Sequence, residues 1–351
     1  MANATFGKTR KTSKRILFAL FFVALVASAP FVIADDGAAL KSASELVELL
    51  RSRIGVDFDK PETFATDVLT AEQRDVKAIV FKSGTDWNAP EGICWEWDSK
   101  TAPELNDAQR RSFGAISECK PAFGTDCVLI AASGGGVALV RVADKKVLFY
   151  GFAGGNTHSA ALFPDGNAVA ASSTGGYLSL FATPENMPTT EFQDESPLVK
   201  KIPLKDAHGV VWDAKRKTLW ALGGYEIVGY EYVGTKEKPD LKEIYRAELQ
   251  GAAVGGHDLY PAPGYDALMT TGKGVSVFDP TTREFTEVSN MRSVKSLSVS
   301  PEGLTLMQRA VVEWWSETIF FGDAQDSAVG TYSGAKFYKA RWFVPNKFSE
   351  P

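Results

Sequence analysis

His158-Ser-Ala-Ala-Leu-Phe-Pro-Asp-Gly-Asn167 decides the fold, because the chain returns to this pattern at regular intervals. The chain has 3 histidines, and each of them opens such a stretch. The other two stretches are His208-Gly-Val-Val-Trp-Asp213 and His257-Asp-Leu-Tyr-Pro261. A turn of small residues follows each histidine at the same distance, and these turns begin at Ser173, Gly223 and Gly272. The three histidines therefore mark one position in a repeated unit.

Two further residues fit the same frame. Glu118 precedes the turn at Ser133 by the distance that separates His158 from its own turn, and Lys295 precedes Pro301 as His158 precedes its own proline. Successive positions are spaced by 40, 50, 49 and 38 residues. A period of about 40–50 residues with several short strands in each unit is typical of a β-propeller. We therefore predict an all-β propeller of six blades, with five or seven blades as alternatives.

Short apolar runs alternate with turns along these units, which predicts strands rather than helices. In the unit of His158 we predict strands at 159–163 and 168–173, joined by the Pro-Asp-Gly-Asn turn. A propeller commonly closes by placing strands from both ends of the chain in one sheet. The segment 336–343 is therefore predicted to complete the first sheet.

Residues 1–34 form a predicted signal peptide. Its basic region ends at Arg15, and the apolar stretch 16–29 is too short for a comfortable membrane span. We expect a secreted or periplasmic protein with no stable membrane span after cleavage, and an uncleaved signal anchor is the alternative. Residues 35–75 form a predicted extension in which the capping box Ser42-Ala-Ser-Glu45 begins a short helix. Residues 76–351 form the predicted propeller.

Charge and cysteine content limit the possible partners. The sequence contains 38 Lys+Arg and 43 Asp+Glu, and five of the basic residues but no acidic residue lie in the predicted signal. The exported chain then has 33 basic against 43 acidic residues, a net charge of −10, which excludes nucleic acid as a partner. We expect a monomer. A disulfide between Cys119 and Cys127 is left open, and the cysteine spacing contains no zinc motif.

Equivalent positions of successive blades converge on the central channel of a propeller. We therefore expect a ring of catalytic side chains there, formed by Glu118, His158, His208, His257 and Lys295. The three histidines with Glu118 could hold a divalent ion such as Mn²⁺, Zn²⁺ or Fe²⁺. Without a metal, the same set could supply a general acid and base or bind an anion. A water-filled structural channel with satisfied polar walls is the alternative.

Further ligand contacts are predicted around this ring. The small-residue turns, represented by Gly135, Gly175 and Gly224, lie at the same end of the blades as the ring, and their backbone could approach a ligand closely. Trp314 and Trp315 are the tryptophans that we expect to face the channel, where they could stack on a sugar. Packing between blades is the alternative role for these rings.

The chain resembles an uncharacterised family of exported bacterial propellers of the WD40- or YVTN-like type. The resemblance covers roughly residues 76–343 and rests on Ser133-Gly-Gly-Gly-Val, Asn156-Thr-His-Ser, Asp206-Ala-His-Gly, Gly256-His-Asp-Leu and Gly334-Ala-Lys-Phe-Tyr. More distantly, the histidine and Pro-Asp-Gly units resemble those of streptogramin lyases and oligogalacturonate lyases, propellers with a histidine-lined metal or catalytic site. In this chain Glu118 and Lys295 replace histidine in the ring.

These observations predict an exported propeller that is a metal-assisted lyase or hydrolase and acts on an anionic saccharide or small molecule in the channel. Lys295 would pair with a carboxylate of the substrate, and Glu118 would be a fourth metal ligand or a base. The alternative is a non-catalytic propeller that binds a ligand, a glycan or a protein.

Overall fold

The computed structural model describes residues 40–54, 64–192, 195–322 and 327–350, and the predicted signal peptide lies outside them. The described residues form 24 strands in six sheets of four antiparallel strands each. Six four-stranded sheets around one axis confirm the predicted six-bladed β-propeller.

The first three blades follow the chain order. Blade 1 contains β1 (Val68–Glu72), β2 (Lys77–Phe81) and β3 (Ile93–Asp98). Blade 2 contains β4 (Ile116–Ala122), β5 (Cys127–Ala132), β6 (Gly136–Arg141) and β7 (Val147–Phe152). Blade 3 contains β8 (Thr157–Leu162), β9 (Ala168–Ser172), β10 (Tyr177–Phe181) and β11 (Leu198–Pro203).

The next three blades repeat this arrangement. Blade 4 contains β12 (Gly209–Asp213), β13 (Thr218–Leu222), β14 (Glu226–Tyr232) and β15 (Leu241–Glu248). Blade 5 contains β16 (Asp258–Pro261), β17 (Leu268–Thr271), β18 (Val275–Asp279) and β19 (Glu284–Ser289). Blade 6 contains β20 (Val294–Val299), β21 (Thr305–Arg309), β22 (Thr318–Phe321) and β23 (Ala328–Thr331).

Burial of the strands falls from the axis to the rim. Every residue of β12 and β13 is buried, whereas β11 and β19 contain no buried residue. An inner strand is covered on both faces by the neighbouring blades, so it needs apolar residues at successive positions rather than at alternate ones. This requirement explains uninterrupted apolar runs such as Gly209-Val-Val-Trp212 in the repeated units.

The last strand of the chain, β24 (Phe337–Trp342), closes the ring. It pairs antiparallel with β1 and is the innermost strand of blade 1, in the order β24-β1-β2-β3. The C-terminal segment therefore completes the first sheet, as predicted. Phe337 and Trp342 are fully buried, and their rings lie 5.7 Å from Phe81 and 6.3 Å from Phe321, respectively. Blade 1 is thus joined to blade 6 by aromatic packing around a strand from the far end of the chain.

Two α-helices of the described residues lie outside the blades. The predicted capping box between Ser42 and Glu45 is present at the start of α1 (Ala43–Arg51), whose residues Leu46 and Leu50 are buried in a cluster with side chains of blade 5. The helix α2 (Asp107–Arg111) connects blades 1 and 2 and is too short to show helical periodicity in the sequence.

Three further features of the described residues bear on the sequence predictions. Strand β1 begins at Val68, so the propeller starts before the predicted boundary at residue 76. Cys94, Cys119 and Cys127 are free thiols. Cys119 and Cys127 are not bonded to each other because Cys119 faces Ile130 across the hairpin, whereas Cys127 faces Ala122. No helix among the described residues is long and apolar enough to cross a membrane.

Closure by β24 leads to a prediction about stability. Replacing Trp342 by alanine removes a fully buried indole from the junction of blades 6 and 1, and we expect the free energy of unfolding to fall by about 3–5 kcal/mol. The measurement is urea unfolding of the parent and the variant. Val233→Ala, at a side chain that is 49% exposed, is the control and should stay within about 0.5 kcal/mol. If the free energy of unfolding of Trp342→Ala falls by less than about 1 kcal/mol, a loss close to that of the control, this closure is contradicted.

Candidate functional site

A repeated turn places one side chain of each unit at the start of the innermost strand. In blades 3 to 6 the residue two positions earlier has a left-handed backbone, at Asn156 (φ 59°), Asp206 (φ 54°), Gly255 (φ 78°) and Ser293 (φ 66°). The side chains placed in this way are His158, His208, His257 and Lys295. A β-bulge at His158 and another at Lys295 interrupt the pairing of β8 and β20, and a bulge re-aims the side chain that it carries.

The three imidazole rings meet on the axis. The ring centroids of His158 and His208 are 4.6 Å apart, those of His208 and His257 are 4.6 Å apart, and those of His158 and His257 are 5.9 Å apart. Residues from blades 3, 4 and 5 therefore form one group of touching rings. His158 and His208 are buried, and His257 is mostly buried.

Tyr338 joins this group from blade 1. It occupies a bulge in β24, and its hydroxyl lies 3.2 Å from Nδ1 of His158 and 2.8 Å from Nε2 of His257. Nζ of Lys295 also lies 3.1 Å from Nε2 of His257. We call these five residues, His158, His208, His257, Lys295 and Tyr338, the axial cluster.

Hydrogen bonds assign the tautomers of two imidazoles in the axial cluster. Nδ1 of His208 lies 2.9 Å from the carbonyl oxygen of Asp206. A carbonyl only accepts, so Nδ1 of His208 carries the proton and Nε2 has the lone pair. An ammonium only donates, so Nε2 of His257 accepts from Lys295 and its Nδ1 carries the proton. His208 consequently has a basic nitrogen that its contact with Asp206 leaves unused.

Glu118 lies one residue deeper than the predicted ring. In blade 2 the bulge falls at Ser117, between Ile116 and Glu118, so Glu118 takes the position that Ser159 has in blade 3. The first hairpin of blade 2 contains one more pair of facing residues than the first hairpin of blade 3, and its turn is one residue shorter. Counting back from Ser133 therefore selects Glu118 rather than Ser117, and the structure separates Glu118 from the four other predicted ring residues.

Glu118 belongs to a second layer of charged side chains below the axial cluster. Arg341 donates to both Glu118 and Asp258, with distances of 3.0 Å and 2.6 Å from Nη2. Nζ of Lys339 lies 3.1 Å from a carboxylate oxygen of each of the same two residues. All four side chains are at most 2% exposed. We call Glu118, Asp258, Lys339 and Arg341 the ion layer.

The ion layer and the axial cluster are in contact. Nζ of Lys339 donates to the backbone oxygen of His158 at 3.2 Å, and Lys339 directly follows Tyr338 in β24. Asp258, which directly follows His257, points to Arg341 and so does not orient the imidazole beside it. Burial raises the pKa of Asp258, but the charges of Arg341 and Lys339 outweigh burial and hold that pKa well below its ordinary value.

Burial sets the protonation of the axial cluster. It is the largest cause that lowers the pKa of all three imidazoles, and the neighbouring charges of Lys295 and Lys339 lower it further. For His208 the hydrogen bond to Asp206 opposes this effect in part. Burial, followed by the charge of Lys339, also lowers the pKa of Lys295. At neutral pH the three imidazoles of the axial cluster are therefore neutral.

The orientation of the rings bears on the predicted metal. The planes of His158 and His208 are 17° apart and stacked. A nitrogen lone pair lies in the plane of its ring, so stacked rings hold their lone pairs in nearly parallel, separate planes that do not meet at one metal position. Within the described residues, no group of three His, Cys, Asp or Glu side chains is arranged to hold a metal ion. Metal ligation by the three histidines stays a prediction, and it requires a rotation of these rings.

The predicted glycines lie where neighbouring turns touch. A Cβ at Gly135 would lie 2.7 Å from the backbone of Gly154, and one at Gly175 would lie 2.6 Å from the ring of Tyr177. At Gly224 it would meet the carboxylate of Asp206. Close packing of the turns is therefore sufficient reason for glycine at these positions, and ligand contact there stays a prediction.

The predicted tryptophans lie on the loop between β21 and β22, at the same end as the axial cluster. Trp314 is 47% exposed, and its Nε1 donates to Gln73 at 2.9 Å. Trp315 is covered by Lys336, whose Nζ lies 5.0 Å from the ring centroid. Ser316 pairs with Phe337, the residue before Tyr338, so this loop is attached to the strand that carries Tyr338. Trp314 is the ring of the pair that remains available to a ligand.

Tyr338 is the residue of the axial cluster that the sequence analysis missed. It lies 43 residues after Lys295, within the spacing of 38 to 50 residues between the earlier positions. Extending the repeat by one unit would have found it. Lys339 and Arg341 could also have been noticed, because a strand that closes the ring buries most of its side chains, and buried cations require partners.

The lowered imidazole pKa values predict that stability depends on pH. Below about pH 6.5 an unfolded chain protonates its histidines, whereas the folded protein does not, so the unfolded state binds more protons. The free energy of unfolding should therefore fall as the pH is lowered from about 6.5 to about 5, by up to about 1.4 kcal/mol per pH unit for each histidine. Urea unfolding at several pH values measures this dependence. His208→Gln should reduce the slope, and a flat profile of the parent would contradict burial of the neutral rings.

Comparison with known proteins places the chain in a family without an assigned activity. A protein of unknown function from Bacteroides caccae aligns with 79% of this chain and 98% of its own, at 10% identity and a TM-score of 0.47. Hydrazine synthase of Kuenenia stuttgartiensis aligns with 61% of this chain and 64% of its own, at 14% identity and a TM-score of 0.40. No functionally curated protein matches the sequence. A model of the family of unknown function DUF6528 matches residues 51–351, and the chain therefore belongs to that family.

Proposed function

We propose that the axial cluster binds a carboxylated sugar or a similar small anion and acts on it as a lyase, by acid–base chemistry. The observation that carries this proposal is the convergence of three imidazoles of lowered pKa with Lys295 and Tyr338 at one end of the channel. A glycoside hydrolase commonly uses a pair of carboxylates. The axial cluster presents imidazoles, a phenol and an ammonium group instead, which favours the lyase over the hydrolase.

Lys295 is the proposed binding group for the carboxylate of the substrate. Its side chain is half-buried, and one of the three donors of its ammonium group faces His257. The remaining donors can bond a carboxylate oxygen, and partial desolvation strengthens such a charge-assisted bond. Neutralising that carboxylate also makes the proton on the adjacent carbon easier to remove.

His208 is the proposed general base. Its contact with Asp206 leaves the lone pair on Nε2, and its lowered pKa keeps the ring neutral at pH 7. Nε2 takes the proton from the carbon beside the carboxylate. The carbon–oxygen bond at the next carbon breaks as a carbon–carbon double bond forms. The leaving oxygen then takes the proton back from the His208 imidazolium, so no proton is gained or lost in the cycle.

A non-catalytic role as a sugar-binding propeller is the second candidate, and the loop that carries Trp314 supports it. Val311, Val312 and Trp314 are exposed by 57%, 46% and 47%, and they form an apolar surface beside the strand of Tyr338. Such a surface suits the apolar face of a sugar ring. It could bind a sugar in this way whether or not the protein also cleaves it. Both proposals include export of the protein, because the protein would encounter a carbohydrate of this kind outside the cytoplasm.

The test is turnover of uronate-containing oligosaccharides by the purified protein, followed by the ultraviolet absorbance of the unsaturated product. His208→Gln should lower kcat by about 10²–10⁴-fold, because the general base is lost. Lys295→Met should raise KM about tenfold or more, because the carboxylate loses a charge-assisted hydrogen bond. Lys273→Met, at an exposed lysine on the turn after β17, removes the same charge and should leave both constants unchanged.

The outcomes separate the two candidates. Binding without turnover that is lost in Trp314→Ala and kept in His208→Gln would favour the non-catalytic propeller. Turnover that survives His208→Gln would remove the proposed mechanism. Elemental analysis of the same purified protein tests the separate prediction of a bound divalent metal.

A further inference from the structure

A cavity lies at the other end of the channel. The axial cluster stands at the starts of the innermost strands, whereas this cavity is lined by their ends, including Ala122 of β4, Leu162 of β8 and Pro261 of β16. The ion layer lies between the two, so the cavity is separate from the site proposed above. Its volume is about 480 Å³, within the range of about 300–1,000 Å³ that is typical of small-molecule sites.

The walls of the cavity are mostly apolar. Phe123, Leu162, Phe163 and Val211 contribute side chains from three adjacent blades. Such a lining is suited to a hydrocarbon body and gives it no polar partner along most of its length.

The inner end of the cavity carries a positive charge. Lys120 lines the cavity and is buried, and its Nζ lies 2.9 Å from Oγ of Ser159, 3.0 Å from the oxygen of Ala160 and 2.9 Å from the oxygen of Val210. All three partners are neutral oxygens. The two carboxylates nearest in the channel belong to the ion layer, where Lys339 and Arg341 already balance them.

The buried charges on the axis therefore do not cancel. Lys120, Lys339 and Arg341 are three cations against the two carboxylates Glu118 and Asp258, which leaves one positive charge next to the cavity. Burial lowers the pKa of Lys120 to about 8, so the group is still mainly protonated at neutral pH. The three N–H donors of this ammonium are already used, but its uncompensated charge still attracts an anion to the end of the apolar cavity.

The outer end of the cavity is covered in part by the C-terminal segment. Asn346, Ser349 and Glu350 line it, and the carboxylate of Glu350 accepts a hydrogen bond from the backbone of Gly124 at 2.7 Å. Phe348 is buried against blade 4, and its backbone oxygen accepts a hydrogen bond from the backbone N–H of Ala214. These contacts hold the C-terminal segment in place. The carboxyl groups of Asp126 and Glu350 at the outer end and the ammonium of Lys120 at the inner end give the cavity a direction.

We propose that this cavity binds a small monocarboxylic acid with an apolar body, with its carboxylate toward Lys120 and its hydrocarbon chain against Phe123, Leu162 and Phe163. The site is independent of the lyase proposal, because no residue of the axial cluster takes part in it.

Calorimetric titration with three probes of equal chain length tests the proposal, namely octanoate, 1-octanol and octylammonium, each below its aggregation concentration. Octanoate should bind the parent protein with a Kd at least about tenfold lower than that of octanol, and octylammonium should bind more weakly still, because the charge of Lys120 selects an anion. Equal affinity for octanoate and octanol, or no binding of octanoate, would overturn the proposal.

Two variants locate the site. Lys120→Met should abolish the preference for octanoate over octanol. Leu162→Trp fills the cavity without changing its charge and should weaken octanoate binding about tenfold or more, which keeps the test available even where Lys120→Met does not fold. Octanoate binding that is unchanged in Leu162→Trp would place the ligand elsewhere and overturn the proposal. His208→Gln should keep the parent affinity for octanoate, so a failure of the lyase proposal is distinguishable from a failure of this one.

Discussion

The buried ion pairs of Arg341 with Glu118 and Asp258 are the constraint on which the rest of the structure depends. Arg341 is fully buried on the strand that closes the ring, and it joins Glu118 of blade 2 to Asp258 of blade 5 across the axis. Removing ions from water costs several kcal/mol each, so four buried charges are tolerated only because each cation meets both carboxylates. Correct closure of blade 1 is therefore the condition under which Glu118 and Asp258 have partners. Loss of one partner from such a network typically costs about 3–5 kcal/mol.

This network also divides the channel into two chemical environments. Above it, Lys339 bonds the backbone of His158, and Tyr338 reaches from the same strand to His257, so the closing strand fixes the axial cluster as well as the ion layer. Below it, Lys120 remains without a carboxylate of its own and faces an apolar cavity. Neutral imidazoles with a half-buried ammonium suit acid–base chemistry on an anion, whereas the lower end suits binding of an apolar acid. One set of buried side chains thus accounts for both ends of the axis.

The sequence predicts the six blades and the convergence of the histidines because both follow from local spacing. His158, His208 and His257 each stand before an apolar strand, and a closed ring of blades must bring such positions together. Counting back from Ser133 selects Glu118, one residue after Ser117, which is the position equivalent to His158. The error is small because the hairpin of blade 2 has an extra pair of facing residues but a shorter turn, and the two changes nearly cancel in the count. The ion layer could not be derived in this way. Arg341 and Glu118 are separated by 223 positions, and their contact depends on the closure of the ring rather than on any repeated spacing.

The central claim is that the histidines form one buried, neutral and hydrogen-bonded cluster with Tyr338 and Lys295. Nitrogen-15 NMR of the imidazole rings across a pH titration tests it directly, since the 3 histidines of the sequence give few signals. We expect all three rings to stay neutral below the ordinary imidazole pKa, and His158 and His257 to stay neutral well below it. The proton should be on Nδ1 in both His208 and His257. Three independent titrations near pH 6.5 (approximately the ordinary imidazole pKa), or a proton on Nε2 of His208 at neutral pH, would contradict it.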